Sequence, residues 1–296
     1  MSIQALPYIT LLGFLFGSTL IASRFSVGQF DPSTYVGLRL TMAGLGHIAL
    51  YTLARHRFHW PKDRRLWRHA ALLGVLGTAV PMTAIVTSLQ YLSSGIASVL
   101  VTTSPALTVL IAHFLLSDER LNARKTMGIG LALAGAALLA LSGESGLPNV
   151  SSANPLGYIL MFIAMITGSG MTVYARKYMN EMNSFDVASI RLFVASLVVM
   201  PLSILSVGID LHAVTGQGYF ALGYAALIGT FAGLLLAFYN VKRFGATAAA
   251  MTSYIVPMVA VVGGWFFLHE QITPVMLAGM ALIVGGIVIL NQRQGG

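Results

Sequence analysis

The chain contains no cysteine, which excludes disulfides, thiolate nucleophiles and thiolate metal ligands. Charge is nearly as scarce: Asp, Glu, Lys and Arg make up 9% of 296 residues, against about 25% in an ordinary soluble domain. So little charge cannot solvate a water-facing surface of this size. The nine acidic residues fall in loops or at the ends of apolar stretches, so no carboxylate relay crosses the middle of a span. Also missing are the H-E-x-x-H, Walker A and dinucleotide fingerprints. The string "GESG" (143–146) fits a G-x-S-G pattern, but it follows a helix and has no histidine at matching depth. No catalytic residue, metal site or cofactor is expected.

What is present is apolar. Hydrophobic residues make up 56% of the chain, and the mean hydropathy is +0.80. A spanning helix needs about 20 mostly apolar residues. Ten stretches qualify: 6–27, 33–54, 70–91, 94–116, 125–142, 155–176, 185–207, 218–240, 245–268 and 274–291. The fold class expected is therefore an all-α integral membrane protein. The first stretch has no basic flank and reads as a retained span, not as a cleaved leader. The net charge of +8 is a topology feature. Arg64, Arg65 and Arg68, then Arg120, Arg124 and Lys125, then Arg176 and Lys177, then Lys242 and Arg243 share one side, while Arg24 lies near the other. This places both termini in the cytoplasm. Basic loops this short, without a recognition motif, exclude nucleic acid as a partner.

The two halves repeat. "ASRFSVGQFDPSTYVGLRL" (22–40) aligns without a gap on "YARKYMNEMNSFDVASIRL" (174–192), which pairs Arg24 with Arg176 and Arg39 with Arg191. "SGIASVLVTTSPALTVLIAHFLLSDERL" (94–121) aligns on "FGATAAAMTSYIVPMVAVVGGWFFLHEQI" (244–272), pairing Pro105 with Pro257 and Glu119 with Glu270. Residues 1–142 form the first repeat, 143–154 a linker, and 155–296 the second repeat. Five spans per half is odd, so the second half enters the membrane inverted. Inverted repeats let one central site open alternately to either side.

These segments resemble the drug/metabolite transporter superfamily, and within it the EamA-type ten-helix exporters. The chain looks most like the bacterial YddG-type exporters of aromatic amino acids. The resemblance covers both repeats. It implies a basket-like helical fold around a central cavity, lined chiefly by the third, fourth, eighth and ninth spans. It also implies a bacterial inner membrane, a lipid bilayer and a small-molecule substrate as partners, and no cofactor.

Candidate cavity residues follow from helical spacing. Ser94, Ser98, Thr102 and Pro105 share a face of the fourth span, and Thr247, Met251, Tyr254 and Met258 a face of the ninth. "LGTAVPM" aligned on "IGTFAGL" pairs Thr78 with Thr230, adding Met82 on the third span and Phe238 on the eighth. Pro105 and Pro257 each free the carbonyl four residues earlier, on Val101 and Ser253, and read as hinges. Arg39 and Arg191 lie about two turns into their spans and are assigned a gating or structural role. The cavity is expected to be mostly apolar, suited to a neutral or zwitterionic molecule and unsuited to phosphate, which calls for Arg or Lys at mid-depth.

The function expected is export of small metabolites, amino acids with aromatic and apolar side chains included, by alternating access. Without a buried acid, transport is facilitated or exchange-like. A drug, sugar or nucleotide-sugar carrier of the same superfamily is the alternative, and an intramembrane enzyme the alternative of another class. The oligomeric state is left open, with a monomer compatible.

Overall fold

The computed structural model describes residues 3–54, 59–148, 150, 152–245, 249 and 251–291. Nine helices among them are long and apolar enough to cross a membrane: α1 Leu6–Phe25, α2 Pro32–Leu53, α3 Arg64–Ser88, α4 Ser94–Leu115, α5 Ala123–Ser142, α6 Pro155–Tyr178, α7 Ser184–Ser206, α8 Gly216–Phe244 and α10 Pro274–Asn291. The remaining helix, α9, covers Thr252–Leu268 and is equally apolar. Thr247, expected on its face, lies outside the described residues. Eight of the spans agree with the sequence reading to within a few residues. The differences are α3, which starts at Arg64 and adds an amphipathic turn, and α9, whose described helix starts at Thr252 and not at 245.

Polar caps start most of these helices. Asp31 accepts from the Ser33 amide at 2.8 Å, Asn122 from Lys125 at 2.8 Å and Asn154 from Leu156 at 3.0 Å. Prolines at 32, 155 and 274 occupy first turns, where no amide bond is lost. Each cap satisfies orphan amides where lipid gives way to water.

The packing exchanges partners between halves. α1 lies on α9, as α6 lies on α4; α2 packs against α7, and α5 against α10. Each pair joins one repeat to the other, as two intertwined inverted halves require. The α5–α10 seam shows how close lipid-embedded helices come. A Cβ on Gly286 would lie 2.5 Å from the Gly128 carbonyl oxygen, and one on Gly128 would lie 2.7 Å from that of Gly286. A Cβ on Gly135 would lie 2.8 Å from the Gly279 carbonyl oxygen, and one on Gly279 would meet the Leu139 side chain. Small residues admit the backbone contact that holds helices together where lipid removes the hydrophobic drive.

Two helices depart from regular α geometry at repeat-equivalent places. Val75–Ala79 in α3 and Tyr224–Ala232 in α8 are π-helical, and each contains the Gly-Thr pair matched between the halves. α4 breaks at Thr102–Thr103, where the Thr103 amide bonds to the Leu100 carbonyl three residues back at 2.9 Å. Pro105 therefore sits in the first turn of a second α4 segment, Ser104–Leu115. Pro257, by contrast, lies inside continuous α9.

Candidate functional site

The irregular turns converge on a central cavity of about 560 Å³. It is lined from both repeats: Thr19, Leu20 and Ser23 of α1, Arg39 of α2, Thr78 and Met82 of α3, and Thr102 and Pro105 of α4, with Arg191 of α7, Thr230 and Leu234 of α8, and Thr252, Ser253 and Val256 of α9. Its wall is mainly apolar, with hydroxyls grouped where the helices are irregular.

The fixed polar contacts repeat across the pseudo-two-fold. Arg39 donates from Nε to the Thr230 hydroxyl at 2.8 Å, and Arg191 from Nε to the Thr78 hydroxyl at 2.8 Å. Arg39 also donates to Ser23 Oγ at 3.1 Å, and Arg191 to the Gly77 carbonyl at 3.0 Å. Each arginine is thus held by a π-helical turn of the opposite repeat. π-Bulges widen the helix and expose groups an α-helix would enclose. Thr230 Oγ1 illustrates this by donating to the Ala225 carbonyl five residues back at 2.8 Å.

Of the residues singled out from sequence, Thr78, Met82, Thr102, Thr230, Ser253, Pro105, Arg39 and Arg191 line the cavity together. Ser98, Met251, Tyr254, Phe238 and Pro257 are not among the lining residues. Ser98 is fully buried, donating to the Gly95 carbonyl at 2.6 Å. Tyr254 packs on the side of α9 facing α5 and α10, and its hydroxyl accepts from Asn291 Nδ2 at 3.0 Å. Met251 is exposed beside it. The cavity face of the ninth span is instead residues 249, 252, 253 and 256. A turn at Met251, where the Tyr254 amide bonds to the Met251 carbonyl three residues back at 3.1 Å, precedes α9, so a stripe carried through it at helical spacing does not follow the cavity face. The carbonyl freed by Pro257, that of Ser253, lies 3.5 Å from the Thr102 hydroxyl, where α4 crosses α9.

Sequence reasoning missed Thr252. Its hydroxyl is buried on the cavity wall and has no hydrogen-bond partner among the described residues. The arginines, read as shallow charges, also line the cavity.

A compact polar cluster lies at the ends of α1, α4 and α9 away from the chain termini, outside the cavity lining. Glu270, just past α9, accepts from the Ser94 amide at 2.8 Å, the Ser94 hydroxyl at 2.8 Å and the Gly95 amide at 3.3 Å. Arg24 lies 3.9 Å from the same carboxylate. A carboxylate on a helix N-terminus uses orphan amides and the helix dipole together. Burial pushes the Glu270 carboxyl above the usual carboxylate range, against these bonds. Backbone bonds from Ser93 to the Ser145 carbonyl and from Gln271 to the Gly146 carbonyl, both 2.8 Å, extend the cluster.

The opposite end carries the repeat-equivalent pair in another setting. Arg176 donates to Glu119 at 2.6 Å and to Asp118 at 2.8 Å, while Lys125 donates to Glu119 at 3.0 Å. Arg176, then Lys125, holds the Glu119 carboxyl below its usual range. These bonds clamp the end of α4 to α6.

The sequence profile of the EamA-like transporter family matches the chain twice, over residues 4–141 and 155–292. The uncharacterized transporter YoaV of Bacillus subtilis (strain 168) is 26% identical, covering 92% of this chain and 91% of that protein. The uncharacterized inner membrane transporter YedA of Escherichia coli (strain K12) is 28% identical, covering 94% and 87%. A protein of Streptantibioticus cattleyicolor named a probable terminal-alkyne amino-acid exporter is 25% identical, covering 75% and 72%. A solved crystal structure shares the fold at a TM-score of 0.64, with 21% identity over 95% of this chain and 94% of that one.

Proposed function

Because this chain belongs to the EamA-like transporter family, we propose that it exports small metabolites, amino acids with aromatic or apolar side chains among them, by alternating access of the central cavity. The observation that carries the proposal is a cavity lined from both repeats, with Arg39 on Thr230 and Arg191 on Thr78 as matched contacts; the Glu270 cluster is read as the seal of the end away from the termini. A site on a pseudo-two-fold axis can face either side at nearly equal energy, which alternating access needs. The volume of about 560 Å³ suits a molecule of amino-acid size within a mostly apolar wall. The related protein named as an amino-acid exporter supports the same substrate class.

The protein works in a bacterial inner membrane with both termini in the cytoplasm. The basic loops and the name of the related YedA support this. No acidic side chain lines the cavity among the described residues, which supports facilitated or exchange transport over tight ion coupling. One chain contains the whole cavity, so a monomer suffices.

The test is efflux of a labelled amino-acid panel from vesicles holding purified protein. Saturable efflux of apolar and aromatic members, reduced in Thr102→Val, is expected. Efflux no faster than from protein-free vesicles for every member would overturn the proposal.

A further inference from the structure

Arg39 and Arg191 stand out because nothing neutralises them. Both line the central cavity, and among the described residues no Asp or Glu lies within ion-pair distance of either. Their partners are two threonine hydroxyls, one serine hydroxyl and one carbonyl. Such partners orient a guanidinium but supply no negative charge. Two desolvated cations facing one cavity are unfavourable unless an anion joins them. A guanidinium has five N–H donors in a planar fork matched to a carboxylate. Each arginine spends its Nε–H and one further N–H on the protein, which leaves donors on the other side of the fork for a ligand.

We propose that Arg39 and Arg191 bind the carboxylate of the transported molecule, and that the carboxylate, not an amino group, defines the substrate class. The inference rests on the transport reading of the same cavity and deepens it. The preferred substrate is a small organic acid with an apolar body. The cavity offers a carboxylate two guanidinium groups. Among the described residues it offers an ammonium no acidic side chain. An α-amino group is therefore tolerated, not required.

The two arginines also differ in depth. Each lies seven residues past the first residue of its helix, at Pro32 and Ser184, or about 10 Å along the axis. The helices start on opposite faces of the bilayer. Arg191 is thus nearer the side bearing the termini, and Arg39 nearer the other. A carboxylate entering from the termini side meets Arg191 first and leaves past Arg39. The π-helical threonines keep each fork aimed into the cavity, because an Nε–H fixed to Thr78 or Thr230 fixes the guanidinium plane.

The experiment measures binding to purified protein by thermal stabilisation, with four probes sharing one aromatic body: L-phenylalanine, 3-phenylpropanoate, L-phenylalaninamide and 3-phenylpropanamide. Both acids are expected to stabilise the parent, and neither amide. Arg39→Gln and Arg191→Gln should each weaken acid binding about tenfold or more, as loss of a charged hydrogen bond implies. Arg39→Lys and Arg191→Lys should recover part of the loss. If a glutamine variant fails to fold, Thr78→Val and Thr230→Val keep both charges and release the forks, and these should weaken acid binding several-fold. Amides binding as well as acids, no stabilisation by either acid, or folded variants unchanged in acid affinity would each overturn the inference. Binding is read without flux, so a vesicle assay that moves amides as readily as acids would sink this inference and leave the transport reading standing.

Discussion

Removing the Glu270 carboxyl should open the sealed end. In Glu270→Ala the Ser94 and Gly95 amides lose their acceptor, the Ser94 hydroxyl keeps only the Ala260 carbonyl at 3.4 Å, and Arg24 loses its only ion-pair partner among the described residues. Buried donors left unsatisfied cost about 1–3 kcal/mol. Only the closed arrangement bears that cost, because water reaches these groups once α4 and α9 separate. The open fraction should rise about 5- to 140-fold, since about 1.4 kcal/mol is a factor of ten. The absence of native cysteine makes the assay clean. A single Leu20→Cys places a thiol on the cavity wall, and a membrane-impermeant maleimide is added on the side opposite the termini. Its labelling rate, normalised to an exposed reference cysteine, should rise by the same factor in Glu270→Ala. An unchanged rate in a folded variant would refute the assignment of the cluster as the seal.

Three further outcomes follow from the same contacts. The buried Glu270 carboxyl has a raised pKa, so its contribution to the closed end is fully present below the usual carboxylate range and is lost as pH rises through the raised value. The normalised Leu20→Cys rate should therefore increase with pH; a flat or falling profile contradicts this. Gly286→Val drives a side chain into the Gly128 carbonyl and Ala132, and overpacking of this kind costs about 1–3 kcal/mol. A lowered melting temperature is expected, and an unchanged one would show that the seam yields. Tyr254→Phe loses only the bond from Asn291 and should leave saturable flux unchanged, whereas Thr102→Val removes a cavity hydroxyl and should raise the half-saturation concentration. Equal effects of the two would return Tyr254 to the site.

Much of the fold was legible because lipid imposes simple rules. Backbone groups must pair within each segment, so ten apolar stretches become ten helices, and prolines such as Pro32 and Pro155 mark their starts. The pairing of Arg24 with Arg176 and of Glu119 with Glu270 was equally readable, and those residues stand in ion pairs at opposite ends. His47, inside α2, is a packed residue, with Nδ1 2.9 Å from Ser189 Oγ and rings of Phe185 and Phe231 against it. What stayed hidden depends on departures from ideal helix geometry. Spacing arguments assume 100° per residue, and they fail where the ninth span turns at Met251. That failure put Tyr254 on the cavity in place of Thr252. The π-helical turns were hidden too, although the matched Gly-Thr pairs at 77–78 and 229–230 mark their places. Arg39 reaching Thr230 joins residues 191 apart in sequence, and no local pattern predicts it.

The most direct test of the account is counterflow. Vesicles holding purified protein are loaded with unlabelled L-phenylalanine and diluted into a trace of labelled L-phenylalanine. A carrier whose single cavity faces the two sides in turn predicts transient, saturable accumulation of label against its own gradient, slowed in Glu270→Ala as the cavity becomes trapped facing one side. Label that only equilibrates, at a rate linear in concentration and indifferent to the loaded substrate, would contradict alternating access and leave an open pore in its place.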